Sequence, residues 1–233
     1  IVLHAGSLLA IVLFYRKTLW QFLNPKMWRL AWMLIIATIP AGVAGVALEA
    51  SGFAKELFGN LFMIGFTFLI TGTLLRLSEK PKLVVNLGDK RDAQSTPLEK
   101  ITCKQAIAVG IGQMFAILPG LSRSGTTITV GILCGINRNA SGMFSFLMAI
   151  PVIAGATVIH LYKIIKNPPQ SDDVGFLPLG VGLLISALIS FGALSFLTKL
   201  IQRGKLSYFT WYLYILGFAV IFWQIAMTIK KVN

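Results

Sequence analysis

The chain has 233 residues, 56% hydrophobic and 12% charged, with a mean hydropathy of +0.78 and a formal net charge of +13. That balance excludes an ordinary soluble domain and marks a polytopic all-α membrane protein. The cations gather at the ends of apolar runs, where they mark cytoplasmic loops and headgroup contacts, so membrane lipid and not nucleic acid is the expected partner.

Ile1 to Tyr15 is apolar but falls short of the roughly 20 residues that a span needs, so it reads as a span missing its first turn. With no basic leader, it is not read as a signal peptide. Leu30 to Leu48 and Leu57 to Leu75 are uncharged and of spanning length. The link between them holds Glu49 and Glu56, expected to be interfacial residues at helix ends and not catalytic groups.

Arg76 to Lys104 is the extended polar segment; Pro81, Gly88 and Pro97 punctuate it, predicting a solvated loop with a short interfacial helix from Pro97. Asn139 to Tyr162, Val174 to Thr198 and Leu206 to Ile229 are again long enough to span. His4 and His160 lie near span ends and read as packed or interfacial residues. Cys103 and Cys134 lack metal-ligand spacing and read as two small buried thiols.

The positive-inside rule puts loops 16–29, 76–104 and 199–205 on the cytoplasmic side, and 49–56 and 163–173 outside. Segment 105–137 must then enter and leave on the same side. Pro119-Gly120 breaks it and Gly125 permits a bend, leaving limbs of about 13 and 12 residues that rise some 20 Å, short of a 30 Å hydrocarbon core. The prediction is a re-entrant helix-loop-helix at 105–137. It divides the chain into the remainder of a first repeat (1–75), a cytoplasmic loop (76–104), the hairpin, and three spans of a second, inverted repeat (138–233). A second hairpin is expected ahead of Ile1.

The tip of this hairpin, Pro119-Gly120-Leu121-Ser122-Arg123-Ser124-Gly125-Thr126-Thr127, holds the single formal charge between Lys104 and Arg138. An arginine at bilayer depth costs roughly 2.5–3.5 kcal/mol on the gentler scales, and no acidic residue lies near it in sequence. A helix starting near Ser124 presents free N–H groups, and the arginine adds a forked donor suited to phosphate oxygens. Gly120-x4-Gly125 has P-loop glycine spacing, but Thr126 stands where the lysine is needed. Close helix packing would account for Gly120, Ser124 and Gly125 but leaves Arg123 unexplained.

The motif at 119–127, with Ala140-x3-Phe144-Ser145-Phe146-Leu147-x-Ala149-Ile150-Pro151 and Gly155-Ala156, resembles the second signature of the undecaprenyl pyrophosphate phosphatases, also called bacitracin-resistance proteins. The opening Leu3-His4-Ala5-Gly6-Ser7-Leu8-Leu9-Ala10 is similar to the segment just after the family's first signature. The resemblance implies hydrolysis of undecaprenyl diphosphate for carrier recycling in the bacterial cytoplasmic membrane, with a divalent cation, Mg or Ca. It implies Arg123 and Ser122 as catalytic residues. Ser124, Gly125, Thr126, Thr127 and Gly120 would bind the phosphates, and a second copy of the chain is a candidate partner.

The family's first signature, a glutamate pair followed by Pro-x-Ser-Ser-Thr-Gly-His, is absent and would precede Ile1. The metal ligands are therefore expected there and not in this chain, and residues 1–233 alone are expected to turn over negligibly. The competing reading is a transporter or flippase for an anionic lipid or small anion, since paired hairpins in inverted repeats are also transporter architecture.

Overall fold

The computed structural model describes residues 2–22, 24–79, 96–166 and 176–232. These residues are helical throughout, apart from links and an isolated bridge between Thr96 and Ile136. The first half comprises α1 (Val2–Phe14), α2 (Arg16–Gln21), α3 (Trp28–Ala50), α4 (Ala54–Gly59) and α5 (Leu61–Leu77). The second comprises α6 (Cys103–Phe115), α7 (Arg123–Leu133), α8 (Arg138–Leu147), α9 (Ala149–Lys166), α10 (Phe176–Gln202) and α11 (Tyr208–Val232). Among the described residues, four stretches are long and apolar enough to cross a membrane: 28–50, 138–158, 177–202 and 208–230. Helices α1 and α5 are shorter apolar helices.

The stretch expected as one span from Asn139 to Tyr162 is stepped at Met148. Pro151 explains the step, because its ring would clash with the carbonyl of Leu147 if one helix ran through; α8 ends there and Pro151 falls in the first turn of α9. Pro40, by contrast, lies inside the continuous α3.

Small residues let the helices pair closely, as expected where lipid removes the hydrophobic drive for association. On α5 and α11, Gly65 and Gly217 face each other, and a Cβ on either would lie 3.0 or 2.9 Å from the other's carbonyl oxygen. Each is on the last long helix of its half. Gly6 of α1 sits against the Leu183 carbonyl of α10, and Gly110 of α6 against the Ala37 carbonyl of α3. Ile128, Phe144, Leu147 and Met148 form the buried centre, while Leu188, Ile215 and Phe222 project outward as lipid contact requires.

Hydrogen bonds gather the basic ends at one face. Arg29 donates to the Ile101 carbonyl (3.3 Å), Arg138 to the Ser78 carbonyl (3.1 Å), and the Ser207 N–H to Glu79 Oε1 (2.7 Å). The described parts of the three cation-rich loops therefore share a side, as the charge pattern predicts. The short helix from Pro97 is present as a 3-10 turn at Leu98–Lys100, and the rest of the polar loop, 80–95, lies outside the described residues. The expectation of two buried thiols is corrected: Cys134 is half-buried, but Cys103, at the first position of α6, is exposed.

Candidate active site

The hairpin is closed at its base. Thr102 caps α6 in a reciprocal arrangement with Gln105, and the Gln105 amide donates to the Cys134 carbonyl just past α7 (2.9 Å) and to Thr96 Oγ1 (3.1 Å). The two limbs, 13 and 11 residues, thus begin and end together and rise only about 20 and 17 Å. This is the geometry of a re-entrant segment.

Irregular backbone at membrane depth needs protein around it. At the tip, Gly120 takes a φ of +86°, open to glycine, where an added Cβ would also press to 2.9 Å from the Ile64 carbonyl on α5. Thr67 donates to the Pro119 carbonyl (2.6 Å), and the Thr71 hydroxyl accepts the Ser122 N–H (3.1 Å). Two threonines one turn apart on α5 therefore carry the loop.

Helix α7 starts at Arg123, capped by Ser122, whose Oγ accepts the Gly125 N–H at 3.2 Å. The half-buried Arg123 reaches back across the hairpin: its Nε and Nη2 donate to Oε1 of Gln113 at 2.8 and 2.5 Å. Gln113 is only 3% exposed, and its amide nitrogen has no partner among the described residues. The arginine is thus anchored by a neutral oxygen.

Its depth follows from the packing. Gly110 meets Ala37, nine residues from the start of the 23-residue α3, and Gln113 is three residues further along a parallel limb. At 1.5 Å per residue, Gln113 sits about 18 Å along a helix of about 33 Å. Arg123, bonded to it, lies near mid-membrane.

Beside the guanidinium is a cavity of about 510 Å³ between α3 and α9. Thr38, Ala41, Gly42, Gly45, Val46 and Glu49 line one wall, Pro151, Val152, Gly155 and Ala156 the other, with Gln113, Ala116, Ile117 and Arg123 at the hairpin. Nothing lies within 4 Å of a Cβ built on Gly42, Gly45 or Gly155. Small residues therefore create the space. Folding brings Glu49 into this lining, although it is distant from Arg123 in sequence. It lies near the end of α3 opposite Arg29, roughly 12 Å of helix beyond Ala41.

The hydroxyls of the motif do not share this cavity. Ser122, Ser124 and Gly125 line a second, smaller space of about 220 Å³ with Thr71, Leu75 and Tyr212. Thr127 is buried, with Oγ1 2.6 Å from Ser145 Oγ, and Thr126 is buried with its hydroxyl unpartnered among the described residues. Gly120 is taken up by its contact with α5. Successive helical residues point about 100° apart, which is in keeping with Arg123 lining one space and Ser124 the other.

A divalent cation does not fit this lining. Among the described residues no three His, Cys, Asp or Glu side chains come together, and Glu49 is the one carboxylate in the wall, where a hard cation takes six or so oxygen ligands. His4 is exposed on α1.

These features define a polytopic helical membrane protein with a re-entrant hairpin that holds an arginine beside a cavity. A family model described as "Bacitracin resistance protein BacA" matches residues 1–219, and the chain belongs to that family. It is 33% identical over 226 residues to an undecaprenyl-diphosphatase of Carboxydothermus hydrogenoformans, covering 97% of this chain and 82% of the relative. The protein of the same name from Methanobrevibacter smithii is 34% identical over 241 residues, covering 94% and 81%. That from Geotalea daltonii is 32% identical over 229 residues, covering 93% and 80%.

Proposed function

We propose that the protein hydrolyses undecaprenyl diphosphate to the monophosphate and inorganic phosphate, recycling the lipid carrier of cell-wall synthesis in the bacterial cytoplasmic membrane. The observation that carries this reading is Arg123 at mid-depth, held by a neutral amide at the wall of a mostly apolar cavity. A charge so placed and not cancelled suits an anionic headgroup on an apolar tail. The names of the relatives point to the same substrate.

In this mechanism the guanidinium pairs with oxygens of the diphosphate and offsets the charge that builds as the P–O bond of the anhydride breaks. Water supplies the new oxygen on the released phosphate, and the prenyl monophosphate leaves. The volume suits a headgroup and the first prenyl units, within the roughly 300–1,000 Å³ of small-ligand sites, with the remaining tail in lipid. Because the cavity lining extends along α3 toward Glu49, away from the basic face, the headgroup is received from the outer side. Ser122 acts by capping and orienting the start of α7. By family, the protein would also use a divalent cation, with ligands from outside this lining.

The test is phosphate release from undecaprenyl diphosphate by the full-length protein in detergent, where no vectorial transport exists. Release with stoichiometric monophosphate is expected. Lipid movement in sealed vesicles with no hydrolysis in detergent would make the protein a transporter instead.

A further inference from the structure

Gln113 is the polar group nearest Arg123 that no motif reading singles out, and its bonding is unusual. A glutamine buried for packing alone would have both ends of its amide paired, because an unsatisfied buried donor is costly. Here the oxygen takes two donors from one guanidinium, and the nitrogen has no partner among the described residues. The placement serves the oxygen.

Resting on the diphosphatase reading above, we infer that Gln113 is a positioning residue for that reaction: its neutral carbonyl fixes the Arg123 guanidinium at the cavity wall without cancelling its charge. Of the five N–H donors of an arginine, two are engaged, which leaves three for a ligand. A carboxylate in this place would hold the guanidinium as firmly, but it would neutralise the charge and repel a phosphate. An aliphatic side chain would leave the arginine unheld. A neutral amide oxygen meets both needs, and the hairpin supplies it from the facing limb.

Gln113→Glu separates this role from a structural one, since the shapes match and the ion pair with Arg123 keeps the hairpin folded. Thermal unfolding in detergent is expected to be no lower than wild type. Phosphate release at neutral pH is expected to fall about a hundredfold. The ratio of variant to wild-type activity should then climb as pH falls, by up to about tenfold per unit, because only the protonated carboxyl leaves the guanidinium charge free. A variant as active as wild type at neutral pH, or one impaired equally at every pH, overturns the inference.

If the wild type itself releases no phosphate, it is the diphosphatase reading that fails. The positioning role is then read from inorganic pyrophosphate: it should raise the unfolding temperature of the wild type, and that of Gln113→Glu only at low pH. Equal shifts in both proteins, or none in the wild type, contradict it.

Discussion

The side-chain amide of Gln105, in the first turn of α6, donates a 2.9 Å hydrogen bond to the carbonyl of Cys134, one residue past the end of α7. This bond joins the two feet of the hairpin and returns the chain to the face it left. Replacing Gln105 by Leu removes it, along with the Thr96 contact and half of the capping box. A loss of about 1–3 kcal/mol is expected, read as a lower unfolding temperature in detergent. An unchanged temperature would mean that the limbs are held elsewhere.

The tip hangs on α5 through Thr71. Thr71→Val is nearly isosteric but leaves the Ser122 N–H without its acceptor, directly before the first residue of α7. We expect destabilisation of about 1–3 kcal/mol and lower activity, with faster hydrogen exchange at Ser122 than at α7 residues further along. Exchange unchanged at Ser122 would argue against the anchor.

Gly120→Ala combines a left-handed backbone with a Cβ that the Ile64 carbonyl would obstruct. The strain alone is of order 1–3 kcal/mol, and relieving it moves the tip off α5. Both the yield of folded protein and phosphate release should fall, and an active, stable variant would show that the tip relaxes freely.

Filling the cavity should do the opposite. Gly42→Leu and Gly155→Leu add side chains where nothing lies within 4 Å, so unfolding temperature is expected to hold. Release from the long-chain substrate should drop at least tenfold, and release from inorganic pyrophosphate should drop less. Equal losses on both would place the tail outside this cavity.

Much of this layout was legible because it depends on local rules. Pro119-Gly120 and the short limbs predict re-entry, and the clustering of cations predicts which ends share a face. The step in the span was also legible, in the clash that Pro151 would make with the Leu147 carbonyl of an unbroken helix. The separation of Arg123 from Ser124 is likewise in keeping with helix geometry. The contacts of Gln113, Glu49, Thr67 and Thr71 were not legible. Gln113 meets Arg123 only because the limbs fold against each other, and Glu49 reaches the cavity only because α3 packs beside α6. The i,i+4 spacing of Thr67 and Thr71 in an apolar helix was a usable signal for a polar partner, though not for which one.

The central claim is that the mid-membrane charge of Arg123 acts on the substrate. Its most direct test is phosphate release from undecaprenyl diphosphate by Arg123→Ala in detergent, with folding verified by thermal unfolding. The account predicts a loss of about 10²–10³-fold in kcat, partly restored in Arg123→Lys. A folded Arg123→Ala protein that hydrolyses the substrate at the wild-type rate would contradict it.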